Sequence, residues 1–137
     1  MKHPLLPDLD FDTYKAVTPE LIKKLGKTCI LCDIDNTLVP YDCPDPTEDV
    51  INWVKTLTDA GIKLILVSNN EKERVARFAK GLPYPFASKA AKPSVSRIGK
   101  MLSEHGVDLS RCAFLGDQLF TDCLAAKRLG IPMILVN

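Results

Sequence analysis

The 137 residues are enough for one domain with a real core and too few for two ordinary ones. Apolar residues make up 46% and charged residues 26%, which excludes a disordered chain and a disulfide scaffold, and a net charge of +1 gives no support to a general nucleic-acid binder. The five cysteines are an odd number, and Cys29, Cys32, Cys112 and Cys123 lie inside apolar patterns, as small core hydrophobes of a reducing compartment do. Cys29 and Cys32 form a C-x-x-C, but three apart on a strand they point to opposite faces, which argues against a shared metal or redox site. The amino terminus MKHPLLPDLDFD has no sustained apolar stretch and contains three acids, so it is not a signal peptide. With no run of membrane-spanning length, the expectation is a cytoplasmic protein.

In chain order, Pro4, Pro7, Asp8, Asp10 and Asp12 read as an extended arm. Thr18 as N-cap and Pro19 at the first helical position open a short helix that stops at Gly26 and delivers the chain to the first strand. Its Lys23, Lys24 and Lys27 read as a solvated face rather than a lipid-binding one. Thr28 to Cys32 is a strand buried on both faces, and it ends in Asp33-Ile34-Asp35-Asn36-Thr37. Leu38 to Pro46, rich in Pro and Asp, is a loop. From Thr47 a helix carries Val50, Ile51, Val54 and Leu57 at helical spacing, with Trp53 packing at the edge of that stripe, and Ala60-Gly61 ends it. Ile62 to Val67 is a second buried strand, which gives the β, α, β order of a parallel crossover.

That strand ends in Ser68-Asn69-Asn70. Asn70 is the expected N-cap of a helix from Glu71 whose inner face is Val75, Phe78 and Ala79, while Lys72, Arg74, Arg77 and Lys80 read as a solvated face. Tyr84 to Ala87 is a short candidate strand at an edge. Lys92-Pro93-Ser94 opens a helix with Val95, Ile98, Met101 and Leu102 inward and His105-Gly106 as the stop, His105 interacting with the helix dipole. Arg111 to Leu115 is another strand, ending in Gly116-Asp117-Gln118. A helix from about Thr121 to Leu129 closes at Gly130, and Ile131 to Val136 is the last strand.

Asp33 and Asp35, two apart on an extended segment, face one spot at a strand's carboxyl end. In a doubly wound sheet Ser68, Lys92 and Asp117 reach the same edge, which is where ligands bind. Any one of these residues is weak evidence; their convergence marks a site. Asp33, Asp35 and Asp117 suit a hard divalent cation such as magnesium, and a lysine with a hydroxyl suits a phosphate. The P-loop pattern is missing, and neither His3 nor His105 is placed as a base. The carboxylates therefore have to serve as nucleophile and acid/base in phosphoryl transfer.

The set DIDNT at 33 to 37, Ser68 after LILV, Lys92-Pro93 and GDQLFTD at 116 to 122 resembles the four motifs of haloacid dehalogenase (HAD) superfamily phosphatases, over nearly the whole chain. The YKAVTPELIKKLG lead-in and VSNNEKERV are similar to the YqeG-like branch, class IIIA, which is similar to mitochondrial phosphatidylglycerophosphate phosphatases. The resemblance implies a three-layer α/β/α Rossmann-like parallel sheet over residues 1–137, with 1–27 as arm and lead-in helix. It implies that Asp33 attacks phosphorus to form an aspartyl-phosphate and that Asp35 protonates the leaving oxygen and later deprotonates water. It further implies Mg2+ held by the Asp33 carboxylate, the Asp35 carbonyl and Asp117. Ser68, Asn69 and Lys92 would bind phosphoryl oxygens, with Asp122 and Thr37 supporting the loops. The family usually continues past the last strand, whereas this sequence stops at Asn137.

Neither the interval from Asp35 to Ser68 nor that from Ser68 to Lys92 can hold a folded cap, so a capless, open site is expected. Such a site suits a phosphate displayed on something large, such as a lipid head group, a nucleic-acid end or a protein. The branch favours phosphatidylglycerophosphate and a peripheral membrane contact. The opposing expectation, from a different class, is a non-catalytic binding or assembly protein that keeps the fold.

Overall fold

The computed structural model describes residues 6–82 and 84–137. Six parallel strands form one sheet in the order β1-β6-β5-β2-β3-β4: β1 (Leu9–Phe11), β2 (Cys29–Cys32), β3 (Lys63–Val67), β4 (Phe86–Ala87), β5 (Cys112–Gly116) and β6 (Met133–Val136). Every strand pairing is parallel, so each connection has to cross a face of the sheet, and five helices do so or lead into it. They are α1 (Pro19–Lys24), α2 (Glu48–Asp59), α3 (Lys72–Ala79), α4 (Ser96–Glu104) and α5 (Leu124–Leu129).

The alternation of side chains along the strands divides the core in two. Ile30 and Cys32 of β2 pack with Ile22 of α1, Val54 and Leu57 of α2 and Phe78 of α3. Cys29 and Leu31 pack on the other face with Ile98 and Leu102 of α4 and Ala126 of α5. All four residues of β2 are buried, as a central strand covered on both faces must be. Cys29 and Cys32 do lie in opposite layers, and all five cysteines are free thiols.

Caps set the helix starts where the sequence places them. Thr18 Oγ1 accepts from Leu21 N at 3.2 Å and Thr47 Oγ1 from Val50 N at 3.2 Å, each satisfying an orphan donor of the first turn. At the third helix the expectation shifts by one residue. Glu71 holds the N-cap position, and Asn70 Oδ1 accepts the Glu71 N–H at 2.7 Å. On α2 the buried stripe is Val50, Trp53, Val54 and Leu57, while Ile51 is 50% exposed. The inward stripe follows i, i+3, i+4 and i+7, which takes in Trp53 and turns Ile51 away. The Trp53 indole donates to Val17 O at 2.9 Å and meets Tyr14 edge to face, which locks the lead-in segment to α2.

Three further elements differ from expectation. The helix expected to open at Lys92-Pro93-Ser94 starts at Ser96, with Val95 at the N-cap position. The arm, Pro4 aside because it lies outside the described residues, is a sixth strand: Leu9–Phe11 pairs with β6, and Asp8 Oδ2 accepts from Met133 N at 2.7 Å. The expected helix from Thr121 begins as a π-helical turn, Leu119–Cys123, and becomes α-helical only at Leu124. Among the described residues one loop and α2 lie between β2 and β3, and α3 is the helix between β3 and β4, so these intervals place no cap over the carboxyl edge.

Candidate active site

The carboxyl ends of β2, β3 and β5, with the segment after β4 that carries Lys92, bring Asp33, Asp35, Ser68, Asn69, Lys92 and Gln118 to the lining of one cleft of about 330 Å³, and Asp117 stands beside it next to Asp33. The middle strands of the sheet place all of them but Lys92, which follows the edge strand β4. β2 hydrogen-bonds to both β3 and β5, and Asp33 N donates to Leu115 O at 3.0 Å just as the ladder ends.

Lys92 is the hub of the buried part. Its Nζ lies 2.8 Å from Asp122 Oδ1 and 3.3 Å from Asp33 Oδ1, with the side chain 2% exposed. Its backbone is clamped by Asn69, whose Oδ1 accepts from Lys92 N at 2.8 Å and whose Nδ2 donates to Lys92 O at 3.1 Å. The Asn69 side chain thus fixes the lysine backbone at the edge of the cleft that Asn69 also lines. Lys92 follows Ala91, which sits at φ +60°, a conformation that costs an alanine about 1 kcal/mol.

Asp122, fully buried, joins two segments. While Oδ1 takes the Lys92 ammonium, Oδ2 accepts the N–H groups of Asp117 and Gln118, both at 3.1 Å. A Cβ on Gly116 would overlap this carboxylate, so only glycine leaves room for it. Thr37 Oγ1 donates to Asp117 Oδ1 at 3.2 Å and ties the loop after β2 to the loop after β5. Ser68 Oγ accepts from Asn70 N at 3.1 Å, which leaves its own O–H to donate elsewhere.

One oxygen each of Asp33, Asp117 and Asp122 lies within 4.8 Å of the others. Burial pushes the Asp33 carboxyl up to about 7; Asp122 adds to that rise and Lys92 opposes it. Asp117 is raised by burial and then by Asp122, against the Thr37 hydrogen bond. Burial alone would lower Lys92, but the two facing carboxylates outweigh it and hold the ammonium above the ordinary lysine value. Lys92 therefore stays charged, and the remaining negative charge suits a hard cation with oxygen ligands. With both oxygens of Asp122 already engaged, Asp33 and Asp117 are the better placed to bind one directly.

Asp35 stands on the rim. Arg74 Nη2 donates to its Oδ1 at 2.9 Å and Asn70 Nδ2 to its Oδ2 at 3.1 Å. Arg74 is a correction to the solvated face expected of its helix: its side chain is 13% exposed, whereas Arg77 is well exposed and pairs with Asp45. The overlooked signal is its place in the first turn of a helix that starts at a strand's carboxyl end, four residues before the buried Phe78. The guanidinium lies 5.4 Å from that ring's centroid.

Comparison with known proteins agrees with this geometry. The chain is 37% identical over 136 residues to "Probable phosphatase YqeG" of Bacillus subtilis (strain 168), covering 99% of this chain and 79% of the relative. Among solved structures it resembles an uncharacterised protein of Listeria monocytogenes serotype 4b, with a TM-score of 0.63, 17% identity and coverage of 79% of this chain and 77% of that one. A Legionella pneumophila protein proposed to be a HAD subfamily III A hydrolase gives a TM-score of 0.55 at 19% identity, covering 80% of this chain and 63% of that one. At those identities the structures speak for the fold. The family model of haloacid dehalogenase-like hydrolases matches residues 13–130, and the chain belongs to that family.

Proposed function

We propose that this hydrolase cleaves phosphomonoesters through an aspartyl-phosphate on Asp33. The observation that carries this is the Asp33 carboxylate at the end of a buried central strand, 3.3 Å from a buried lysine and grouped with two further acids. Lys92 and the Ser68 hydroxyl would hold the phosphoryl oxygens, with the Asn69 side chain keeping Lys92 in place. As Asp33 attacks phosphorus, Asp35 would give its proton to the departing oxygen. The resulting carboxylate would then take a proton from the water that hydrolyses the acyl phosphate. Magnesium, the ion the family resemblance implies, would bind between Asp33 and Asp117, with the Asp35 carbonyl as a further ligand. Bound there, it would offset charge on the carboxylates and the phosphoryl group.

The cleft suits a large substrate. Among the described residues no cap covers it, and Leu119 and Phe120, 45% and 74% exposed, stand between the cleft-lining Gln118 and Thr121. A phosphorylated lipid such as phosphatidylglycerophosphate is the substrate we favour, reached by peripheral contact with a membrane. No helix among the described residues is long and apolar enough to cross a membrane. Phosphate release from p-nitrophenyl phosphate, with and without magnesium, compared between the wild type and Asp33→Asn, tests the reaction. Loss of release in the variant is expected; equal rates overturn the reading.

A further inference from the structure

The Asp35 carboxylate is held from outside the catalytic cluster, by two donors on one short stretch. Asn70 and Arg74 are four residues apart at the start of α3, and each donates to a different oxygen. Asn70 is itself fixed, because its Oδ1 accepts the Glu71 N–H at 2.7 Å. Arg74 is held at a cost: its Nε and Nη1 are buried without a hydrogen-bond partner, and the guanidinium lies against Phe78. A cation that withdraws two donors from water and keeps its hydrogen bond to Asp35 is not a surface ion pair of ordinary type.

We infer that Arg74, assisted by Asn70, is the positioning residue for Asp35 as proton carrier; this rests on the phosphatase reading above. A carboxylate has about four lone-pair sites, so one donor on each oxygen leaves sites to hold the transferred proton. The two donors fix the plane of the carboxylate. Without them a half-exposed aspartate would spend its time among several rotamers, and proton transfer depends on orientation. Proton donation matters only when the leaving oxygen is a poor leaving group. A p-nitrophenolate departs unaided, whereas an alkoxide takes the Asp35 proton as its P–O bond breaks.

The effect is therefore expected in the leaving-group dependence of kcat/KM, which reports the steps up to formation of the acyl phosphate. Arg74→Leu should lose about 100-fold on ethyl phosphate and less than about 5-fold on p-nitrophenyl phosphate. Arg74→Lys, which keeps a charge but not the fork, should recover about 10-fold on the alkyl ester, and it carries the test if the leucine variant fails to fold. In an Asp35→Asn background, Arg74→Leu should add almost nothing, since the two act as one unit. Equal losses on both esters, a rise in KM with kcat unchanged, or additive losses in the double variant would overturn the inference. Asp33→Asn in the same assays separates the two levels. An active Asp33→Asn sinks the reaction itself, while an inactive one beside an unselective Arg74→Leu sinks only the role of Arg74.

Discussion

The two aspartates of the D-x-D pair are two residues apart and live in different environments. Asp33 is 8% exposed and meets a lysine held by Asp122, within an array anchored to three strand ends. Asp35 is half-buried and depends on side chains of α3. In the proposed reaction the first environment would give a fixed nucleophile with charge balance built into the core, and the second a proton carrier in contact with solvent, whose orientation has to be supplied. Position along a strand end thus gives two chemically identical groups different surroundings, which is what the two proposed roles require.

Substitutions that remove the buried side should act on fold and rate together. Asp122→Ala would leave Lys92 short of its nearer partner and strand the Asp117 and Gln118 N–H groups. A loss of about 3–5 kcal/mol in urea unfolding is expected, with turnover down at least about 100-fold. Gly116→Ala pushes a methyl group into the same carboxylate from the strand side and should cost about 1–3 kcal/mol with a comparable loss of rate. Asp35→Asn sharpens the contrast. Unfolding should change by no more than about 1 kcal/mol while hydrolysis of alkyl esters falls about 10²–10⁴-fold. If Asp35→Asn destabilised the protein as much as Asp122→Ala, the division into a buried array and a rim would be wrong.

A pH dependence follows from the same division. In the metal-free protein burial raises Asp33 to about 7, above the ~3.9 of an unfolded aspartate. A group raised on folding contributes its stability in full below the unfolded value, and that contribution is lost as pH climbs through the folded one. Between about pH 4 and pH 8 in a chelator, Asp33→Asn should therefore lose less stability than the wild type. The difference expected is on the order of a few kcal/mol, read from urea midpoints at the two ends. Parallel curves would mean that Lys92 already compensates the charge. The smallest effect is expected at Ala91, whose φ of +60° favours glycine. Ala91→Gly should stabilise the chain by up to about 1 kcal/mol in the same unfolding experiment.

Several elements were legible because their signals are local. Thr18-Pro19 and Thr47 mark helix starts through hydrogen bonds within a turn, and a buried run ending in acids marks a central strand. Asp33, Ser68, Lys92 and Asp117 could be gathered in advance, because parallel topology sends strand ends to one edge. Leu9–Phe11 was not legible as a strand. Three residues carry no periodicity, and their partner Met133–Val136 lies at the far end of the chain. Trp53 and Ile51 exchanged places because the helix's rotation on the sheet, set by packing, decides which flank of an apolar stripe is covered.

The amino-acid sequence by itself determined the layered α/β architecture, the family and the set of residues at the sheet edge, since these follow from periodicity, caps and motif order. Only the tertiary structure decided how the charges pair. It made Asp122 the link between Lys92 and the loop after β5, made Asn69 the clamp on Lys92, and turned Arg74 from a solvated face onto Asp35. The pairings of Asn69 with Lys92, Lys92 with Asp122 and Arg74 with Asp35 depend on a few ångströms of approach between residues 23 to 39 positions apart, a distance over which spacing in the chain carries no information.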